Sequence, residues 1–250
     1  MRQRILGTKL DLTSYLPATR SILNWANTGS SRYVCIANVH LLMEAYDSRD
    51  FRKRVNDADL VTADGMPLVW LMRLKGVRQQ ARVYGPTLML HVLEAAAQSG
   101  IPVGFYGGTV RTLASLVKRM QAHYRSLSIV YSCSPPFHAM SPEEDVAVVD
   151  QINRSGAKIL FVGLGCPKQE TWMADHRGLV NAVMLGVGAA FDFHAGLKPQ
   201  APMWMQRAGL EWSFRLFTEP RRLWKRYLYH NPRFVLLAAA DLLGLLKRAE

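Results

Sequence analysis

The sequence has little cysteine and no recognisable disulfide or metal pattern. Three cysteines are spread over 250 residues, and this odd number at wide spacing gives neither a disulfide framework nor a zinc-binding set. Their scarcity favours a reducing compartment over secretion. The N-terminus MRQRILGTKLDLTSYL also lacks the apolar core and small-residue cleavage site of a signal peptide.

Long apolar runs are absent as well. No run approaches the roughly 20 residues that a spanning helix needs. The nearest is FVLLAAADLLGLL, residues 234–246, which is shorter and contains Asp241. A packed terminal helix is favoured for it over a helix lying on a membrane.

Acidic residues are scarce relative to basic ones. Lys and Arg total 31 against 19 Asp and Glu, a formal net charge of +12. This indicates an anionic partner, whether nucleic acid, a phosphorylated substrate or acidic lipid. The 49% hydrophobic content excludes a disordered chain. Residues 199–250 hold nine Lys/Arg, four Asp/Glu and eight of the 24 aromatics, so we predict a core over 1–196 and a basic, aromatic-rich helical appendage over 197–250.

Short apolar runs alternate with amphipathic stretches between residues 33 and 193. Strands are predicted at 33–37, 60–63, 103–107, 128–133, 158–163 and 182–188, and helices near 67–75, 86–99, 109–125, 142–155 and 167–177. This spacing predicts an α/β fold, a Rossmann-like and mainly parallel sheet with helices on both faces. Such sheets bind ligands at the carboxyl ends of their strands.

Polar residues follow the first two of these strands. Asn38 can bind a ligand with its amide or cap the next helix, and capping is favoured. His40 is expected to be a core or rim histidine rather than a base. Asp64, before a glycine turn and Pro67, is placed equally well for a general base and for a helix cap. The pair Asp57-Ala-Asp59 resembles a metal-binding DxD, but it precedes the strand, and a simple helix-to-strand connection is favoured.

Arginine and glycine-rich turns mark further strand ends. Arg82 can pair with a carboxylate or phosphate, although solvent exposure is the default. The turn GFYGGT, containing Gly107, can bind phosphate through its backbone, but the sequence has no GxGxxG with a ribose-binding acid, which disfavours a dinucleotide site. In the run GLGCPKQE, which contains Gly165, a cation in the first helical turn indicates a nearby anion. Lys168 is that cation, Gln169 can bind a sugar or base, and Asp192 ends the last strand.

The appendage also has positive charge in the first turn of a predicted helix. Thr218-Glu219-Pro220 predicts a helix start, yet two arginines follow at once. Arg215, Arg222 and their basic neighbours are interleaved with tryptophan and tyrosine. Such a cluster suits a diphosphate or a lipid headgroup region. A solvated basic face over an aromatic core is the plain alternative, and no common nucleic-acid motif is present.

Taken in order, these segments resemble the WecG/TagA/CpsF family of bacterial glycosyltransferases. The similarity runs from residue 38 to about residue 232, and it is carried by ANVHLL, ADLVTADGMPLVW, RVYGPTLM, GFYGG, LFVGLGCPKQE, GVGAAFDFHAG and APMWMQRAGLEWSFRLFTEPRRLWKRY. The resemblance implies an inverting enzyme that needs neither metal nor cofactor. It implies transfer of N-acetylmannosamine, its uronic acid or a related hexose from a UDP-sugar to a polyprenyl-diphosphate-linked saccharide.

The resemblance also assigns expected roles. Asp64 matches the general base, Asn38, Arg82 and Gln169 match pocket residues, and Arg215 and Arg222 are the best matches for appendage arginines that meet the donor diphosphate and the membrane. Two departures, Ile36 in place of a threonine and GPTL at 85–88 in place of GSDL, leave the donor sugar open.

The expected function is therefore cell-surface polysaccharide synthesis by a peripheral enzyme on the cytoplasmic face of the bacterial membrane. No nucleic-acid partner is expected, and a homo-oligomer is compatible with the sequence. The alternatives are a basic membrane- or nucleic-acid-binding module without catalysis and a nucleotide-cofactor oxidoreductase.

Overall fold

The computed structural model describes residues 1–136, 138 and 140–245. The strands are β1 (Arg2–Ile5), β2 (Thr8–Asp11), β3 (Arg32–Ala37), β4 (Leu60–Ala63), β5 (Val103–Gly107), β6 (Ile129–Cys133), β7 (Ile159–Gly163) and β8 (Val183–Gly186). The helices are α1 (Tyr15–Asn27), α2 (Val39–Asp47), α3 (Arg49–Asn56), α4 (Met66–Leu74), α5 (Gly85–Ser99), α6 (Val110–His123), α7 (Pro142–Ser155), α8 (Lys168–Asp175), α9 (Ala190–His194), α10 (Met203–Arg207), α11 (Glu211–Thr218) and α12 (Pro220–Leu242).

The predicted parallel sheet is confirmed. Its six strands run in the order β4-β3-β8-β7-β5-β6, all parallel and flanked by helices. The central strands are apolar because both of their faces are covered. Strand β5 is buried throughout, and the ring of its Phe105 stacks on that of Phe161 in β7 with 5.6 Å between the ring centroids. The edge strand β6 alternates between half-buried and exposed residues, as expected for a strand with one covered face.

Helix caps occur where the sequence predicts them. Ser141 and Glu144 form a reciprocal capping box at the start of α7, and Thr109 accepts a hydrogen bond from the Thr112 amide at the start of α6. These side chains satisfy amide groups that the first turn of a helix leaves unpaired.

The N-terminal hairpin was not predicted. Strands β1 and β2 pair antiparallel across a two-residue turn, in which both Leu6 and Gly7 have positive φ angles. The hairpin is fixed by Asp11, whose Oδ2 accepts a hydrogen bond from the Val61 amide of β4 at 2.8 Å, and by Arg2, which forms an ion pair with Asp11 at 3.0 Å.

The described residues form two compact units. One contains Met1–Ser14, Ile36–Tyr84 and the residues from Gln200 on, and the other contains Tyr15–Cys35 and Gly85–Pro199. We call them unit 1 and unit 2. The predicted division at residue 196 stays a prediction.

Helices alone follow residue 196 in the part of the chain that the structure describes, as predicted. Helix α12 begins at Pro220, and it buries Phe234 and Ala238 while Val235 and Leu236 are exposed. The predicted apolar stretch ends at residue 246, which lies outside the described residues. Among the helices described, none is long and apolar enough to cross a membrane.

Candidate active site

Asp64 follows β4 directly and does not cap the next helix. Its backbone amide donates to the Ala37 carbonyl oxygen at 2.8 Å, which fixes it against the end of β3. The N-cap of α4 is Gly65, with no side-chain cap bond. The capping alternative for Asp64 is therefore wrong, and its carboxylate is available for another purpose.

Arg82 holds Asp64 and Glu211 together. Its Nη2 lies 3.1 Å from Asp64 Oδ1 and 2.6 Å from Glu211 Oε2, and its Nε donates to the Asp64 carbonyl oxygen. The guanidinium also lies over the Tyr84 ring, with its Cζ atom 4.3 Å from the ring centroid. The expectation that Arg82 is exposed to solvent is wrong, because its side chain is only 16% exposed. The side chains of its partners Asp64 and Glu211 are only 14% and 15% exposed.

This arrangement brings two carboxylates and one guanidinium into a poorly solvated space. Burial raises the pKa of Asp64 to about 7. The charges of Arg82 and Arg215 oppose this rise in pKa, and the negative charge of Glu211 adds to it. Burial lowers the pKa of Arg82, but the two carboxylates outweigh it and hold that pKa above its usual value. A carboxylate that titrates near neutrality can accept a proton at working pH.

Tyr84 closes one side of this group. Burial raises the pKa of its hydroxyl above the usual range, and the charges of Glu211 and Asp64 contribute. Because its side chain is almost fully buried under the Arg82 guanidinium, it limits the water around the ion pairs. Sequence reasoning missed both Tyr84 and Glu211, although each lies inside a segment that carries the family resemblance.

Asn38 caps α2, as the favoured alternative predicted. Its Oδ1 accepts a hydrogen bond from the Leu41 amide at 3.1 Å. A Cβ atom built on Gly65 would lie 3.6 Å from Asn38 Cα, so the backbone of Asn38 borders the turn that follows Asp64. The predicted contact between Asn38 and a substrate stays a prediction.

The appendage arginines form a dense positive cluster in unit 1. The charge of Arg215 reaches Asp64, since it lowers that pKa. Burial lowers the pKa of Arg226, and the charges of Arg215 and Arg222 lower it further. Arg222 pairs with Glu219 at 2.6 Å and is 52% exposed. Cations close enough to depress the pKa of a neighbouring arginine would be stabilised by a bound anion.

Unit 2 contains the glycine-rich strand ends. Gly107 has a φ angle of 122°, and a Cβ atom there would lie 2.6 Å from the Gly163 carbonyl group. This glycine is therefore required by the close approach of the ends of β5 and β7. Gly165, with a φ angle of 79° and no atom within 4 Å of a built Cβ, has open space beside it. Lys168 is exposed at the start of α8.

Gln169 and Glu170 are buried beneath this loop. Gln169 Oε1 accepts from the Gly165 amide at 3.1 Å, and its Nε2 donates to Glu170 Oε1 at 2.8 Å. Burial raises the pKa of Glu170 to about 7, against the bond from Gln169. Gln169 thus fixes the loop, and its predicted contact with a sugar or base stays a prediction.

Asp192 lies in the short helix α9 and not, as predicted, at the end of the last strand, because β8 already ends at Gly186. It forms an ion pair with Lys198 at 2.7 Å and accepts a hydrogen bond from the Thr112 hydroxyl of α6 at 3.3 Å. Its carboxylate is engaged within unit 2, and a role in substrate binding stays a prediction.

Asp64 beside Arg82 is the residue that the resemblance matches to a general base, and this role stays a prediction. Comparison with known protein families matches residues 3–248 to the glycosyl transferase WecG/TagA/CpsF family. The chain belongs to this family. Membership in the WecG/TagA/CpsF family makes the protein a glycosyltransferase of cell-surface polysaccharide synthesis and favours that class over the oxidoreductase and the binding module.

Proposed function

We propose that this protein is an inverting glycosyltransferase that transfers a hexose from a UDP-sugar to a polyprenyl-diphosphate-linked saccharide, with Asp64 as general base. The observation that carries the proposal is the burial of the Asp64 carboxylate against Arg82, which also pairs with Glu211, and this burial raises the pKa of Asp64 to about 7. A base of this pKa is ionised often enough to act and basic enough to accept a proton.

In the proposed step, the acceptor hydroxyl oxygen attacks the anomeric carbon of the donor while Asp64 takes the hydroxyl proton. The bond between the anomeric carbon and the UDP oxygen breaks, and its electron pair leaves with the diphosphate. One displacement inverts the configuration at that carbon. Arg82 keeps the Asp64 carboxylate oriented through its two contacts with that residue.

The departing diphosphate needs compensation of its negative charge. Arg215, Arg222 and Arg226 can supply it, and their mutual effect on the pKa of Arg226 supports a site that gains stability from an anion. We expect no requirement for a metal in this step. Asn38, Gly107, Gly165, Lys168, Gln169 and Asp192 remain the proposed donor- and acceptor-binding residues.

The appendage is proposed to contact the cytoplasmic face of the membrane, where a polyprenyl acceptor is anchored. It exposes large apolar side chains beside its basic residues, among them Trp204 at 63%, Phe217 at 84% and Leu228 at 69%. Apolar side chains interleaved with arginine and lysine are typical of interfacial helices.

Vesicle flotation tests this membrane contact. We expect Phe217→Ser to reduce flotation with vesicles containing acidic lipid. Leu179→Ser is the matched control, since Leu179 is 57% exposed but lies in unit 2. Equal flotation of Phe217→Ser and wild type would contradict a contact through this part of the appendage.

A UDP-release assay tests the reaction. A panel of UDP-sugars is supplied with a lipid-diphosphate saccharide and EDTA, and we expect acceptor-dependent release from one donor. Release restored only by added Mg²⁺ or Mn²⁺ would contradict the metal-independent step, and release without acceptor would contradict glycosyl transfer to this acceptor.

A further inference from the structure

The proposed reaction does not use a cluster formed by His40, Glu44 and His230 in unit 1. His40 and Glu44 are four residues apart on α2, so their side chains share a face of that helix. His230 reaches them from α12. One ligand atom of each residue lies within 4.8 Å of the other two, and the three side chains converge from two separate helices.

The distances fit an ion between the side chains better than direct hydrogen bonds. Glu44 Oε1 lies 3.6 Å from His40 Nδ1 and 3.5 Å from His230 Nε2. These separations exceed the ~2.7–3.2 Å of an ordinary N–H···O hydrogen bond. Bonds of ~2.0–2.1 Å to a tetrahedral zinc ion place neighbouring nitrogen and oxygen ligands ~3.3 Å apart.

The histidine that α12 contributes to the cluster is buried. The side chain of His230 is only 9% exposed, and its Nδ1 is buried without a hydrogen-bond partner among the described residues. Its Nε2 points to Glu44 at the outer limit of hydrogen bonding. A buried imidazole with so few partners is destabilising, and an ion bound at Nε2 would give that nitrogen a closer partner than Glu44, which lies 3.5 Å away.

We propose that His40, Glu44 and His230 bind a divalent transition-metal ion, with zinc as the preferred ion, and that this ion fastens α12 to α2. Two imidazole nitrogens and one carboxylate oxygen are a ligand set that zinc uses, with a water molecule in the fourth position. Asp47 and Arg233 join the same two helices nearby, through contacts of 2.6 and 2.9 Å. The charge of Arg233 is thereby balanced by Asp47.

The ion would act by position rather than in the transfer step. Helix α2 begins after Asn38, and α12 carries Arg222 and Arg226. Holding these helices together fixes the spacing between a strand end and the arginine cluster. The proposal does not depend on the proposed glycosyl transfer, because metal binding is measured without substrate.

The test is zinc binding to the full chain after chelator treatment, by competition with a chromophoric chelator and by the visible spectrum of the cobalt-loaded protein. We expect one equivalent to bind. We expect Glu44→Gln and His230→Gln to weaken binding at least ~10-fold, because losing a ligand costs no less than losing a partner in the outer shell. His123→Gln is the control, since His123 is an exposed histidine at the end of α6.

Thermal unfolding followed by circular dichroism provides a second measurement. Zinc should raise the unfolding midpoint of wild type and of His123→Gln, but not that of Glu44→Gln. If His230→Gln does not fold, His40→Gln tests the same ligand set. Stoichiometric binding unchanged in the ligand variants, or no saturable binding at micromolar zinc, would overturn the proposal.

Discussion

Replacing Asp64 by asparagine should remove activity and increase stability at alkaline pH. The folded state holds the pKa of Asp64 at about 7, against a usual value of 3.8. At about 1.36 kcal/mol per pKa unit, keeping this carboxylate ionised costs the folded protein about 4 kcal/mol relative to the unfolded chain. The asparagine amide removes that charge and can still accept a hydrogen bond from Arg82.

The sign of the pH dependence follows from the direction of the shift. Between about pH 4 and 7 the folded state retains a proton that the unfolded chain has released, so wild-type stability falls as the pH rises through about 7. At pH 8.5 we expect Asp64→Asn to be more stable than wild type, by up to about 4 kcal/mol. At pH 5 folded Asp64 is protonated but the unfolded chain is still ionised, so the difference should fall to about 1.6 kcal/mol, and it should disappear only below about pH 4.

Urea unfolding at the two pH values measures the stability, and UDP release measures the turnover. Turnover should fall about 10²–10⁴-fold, the usual contribution of a general base. Asp47→Asn is the control, because its bond to Arg233 holds the pKa of Asp47 below its usual value, and its loss should destabilise the protein at pH 8.5. An Asp64→Asn variant no more stable than wild type at pH 8.5 would refute the reasoning from burial, and wild-type turnover would refute the role as base.

Three further predictions concern Glu211, Gly107 and Arg222. Glu211→Gln should shift the acid limb of the activity profile to lower pH, because the Glu211 charge raises the pKa of Asp64; an unshifted limb in a pH–rate profile would contradict this. Gly107→Ala should lower the free energy of unfolding by at least about 2 kcal/mol more than Gly29→Ala, since both have positive φ but only Gly107 meets a backbone; equal losses in urea unfolding would contradict the clash. Arg222→Gln should raise the donor KM more than it lowers kcat; an unchanged KM in initial-rate kinetics would remove Arg222 from donor binding.

The strands of the sheet could be predicted because their signal is local. Strands β5 and β7 are short, apolar and covered on both faces, so hydrophobicity alone distinguishes them. The hairpin of β1 and β2 could not be predicted in this way. Its turn requires positive φ at Leu6, an unfavourable position for a side chain with a Cβ, and its pairing is supported by Asp11 bonding to Val61, 50 residues further along the chain.

The candidate active site likewise combines features visible in the sequence with contacts between remote segments. A carboxylate at a strand end, before a glycine turn, is visible in the sequence, and so is an arginine at the start of a later helix. The partner that completes the site is Glu211, 129 residues from Arg82, and no spacing rule connects them. A pKa depends on burial and on the charges within a few ångströms, so only the tertiary structure could decide that Asp64 titrates near neutrality.

The sequence by itself determined the sheet, the caps of α6 and α7, the basic and aromatic-rich composition after residue 196 and the place of Asp64 at a strand end, because each depends on neighbouring residues or on composition. The tertiary structure decided that Gly65, rather than Asp64, is the N-cap of α4. It also decided that Arg82 is buried between two carboxylates and that His230 lies beside His40 and Glu44. Each of these depends on distances between segments remote in the chain, and folding alone sets those distances.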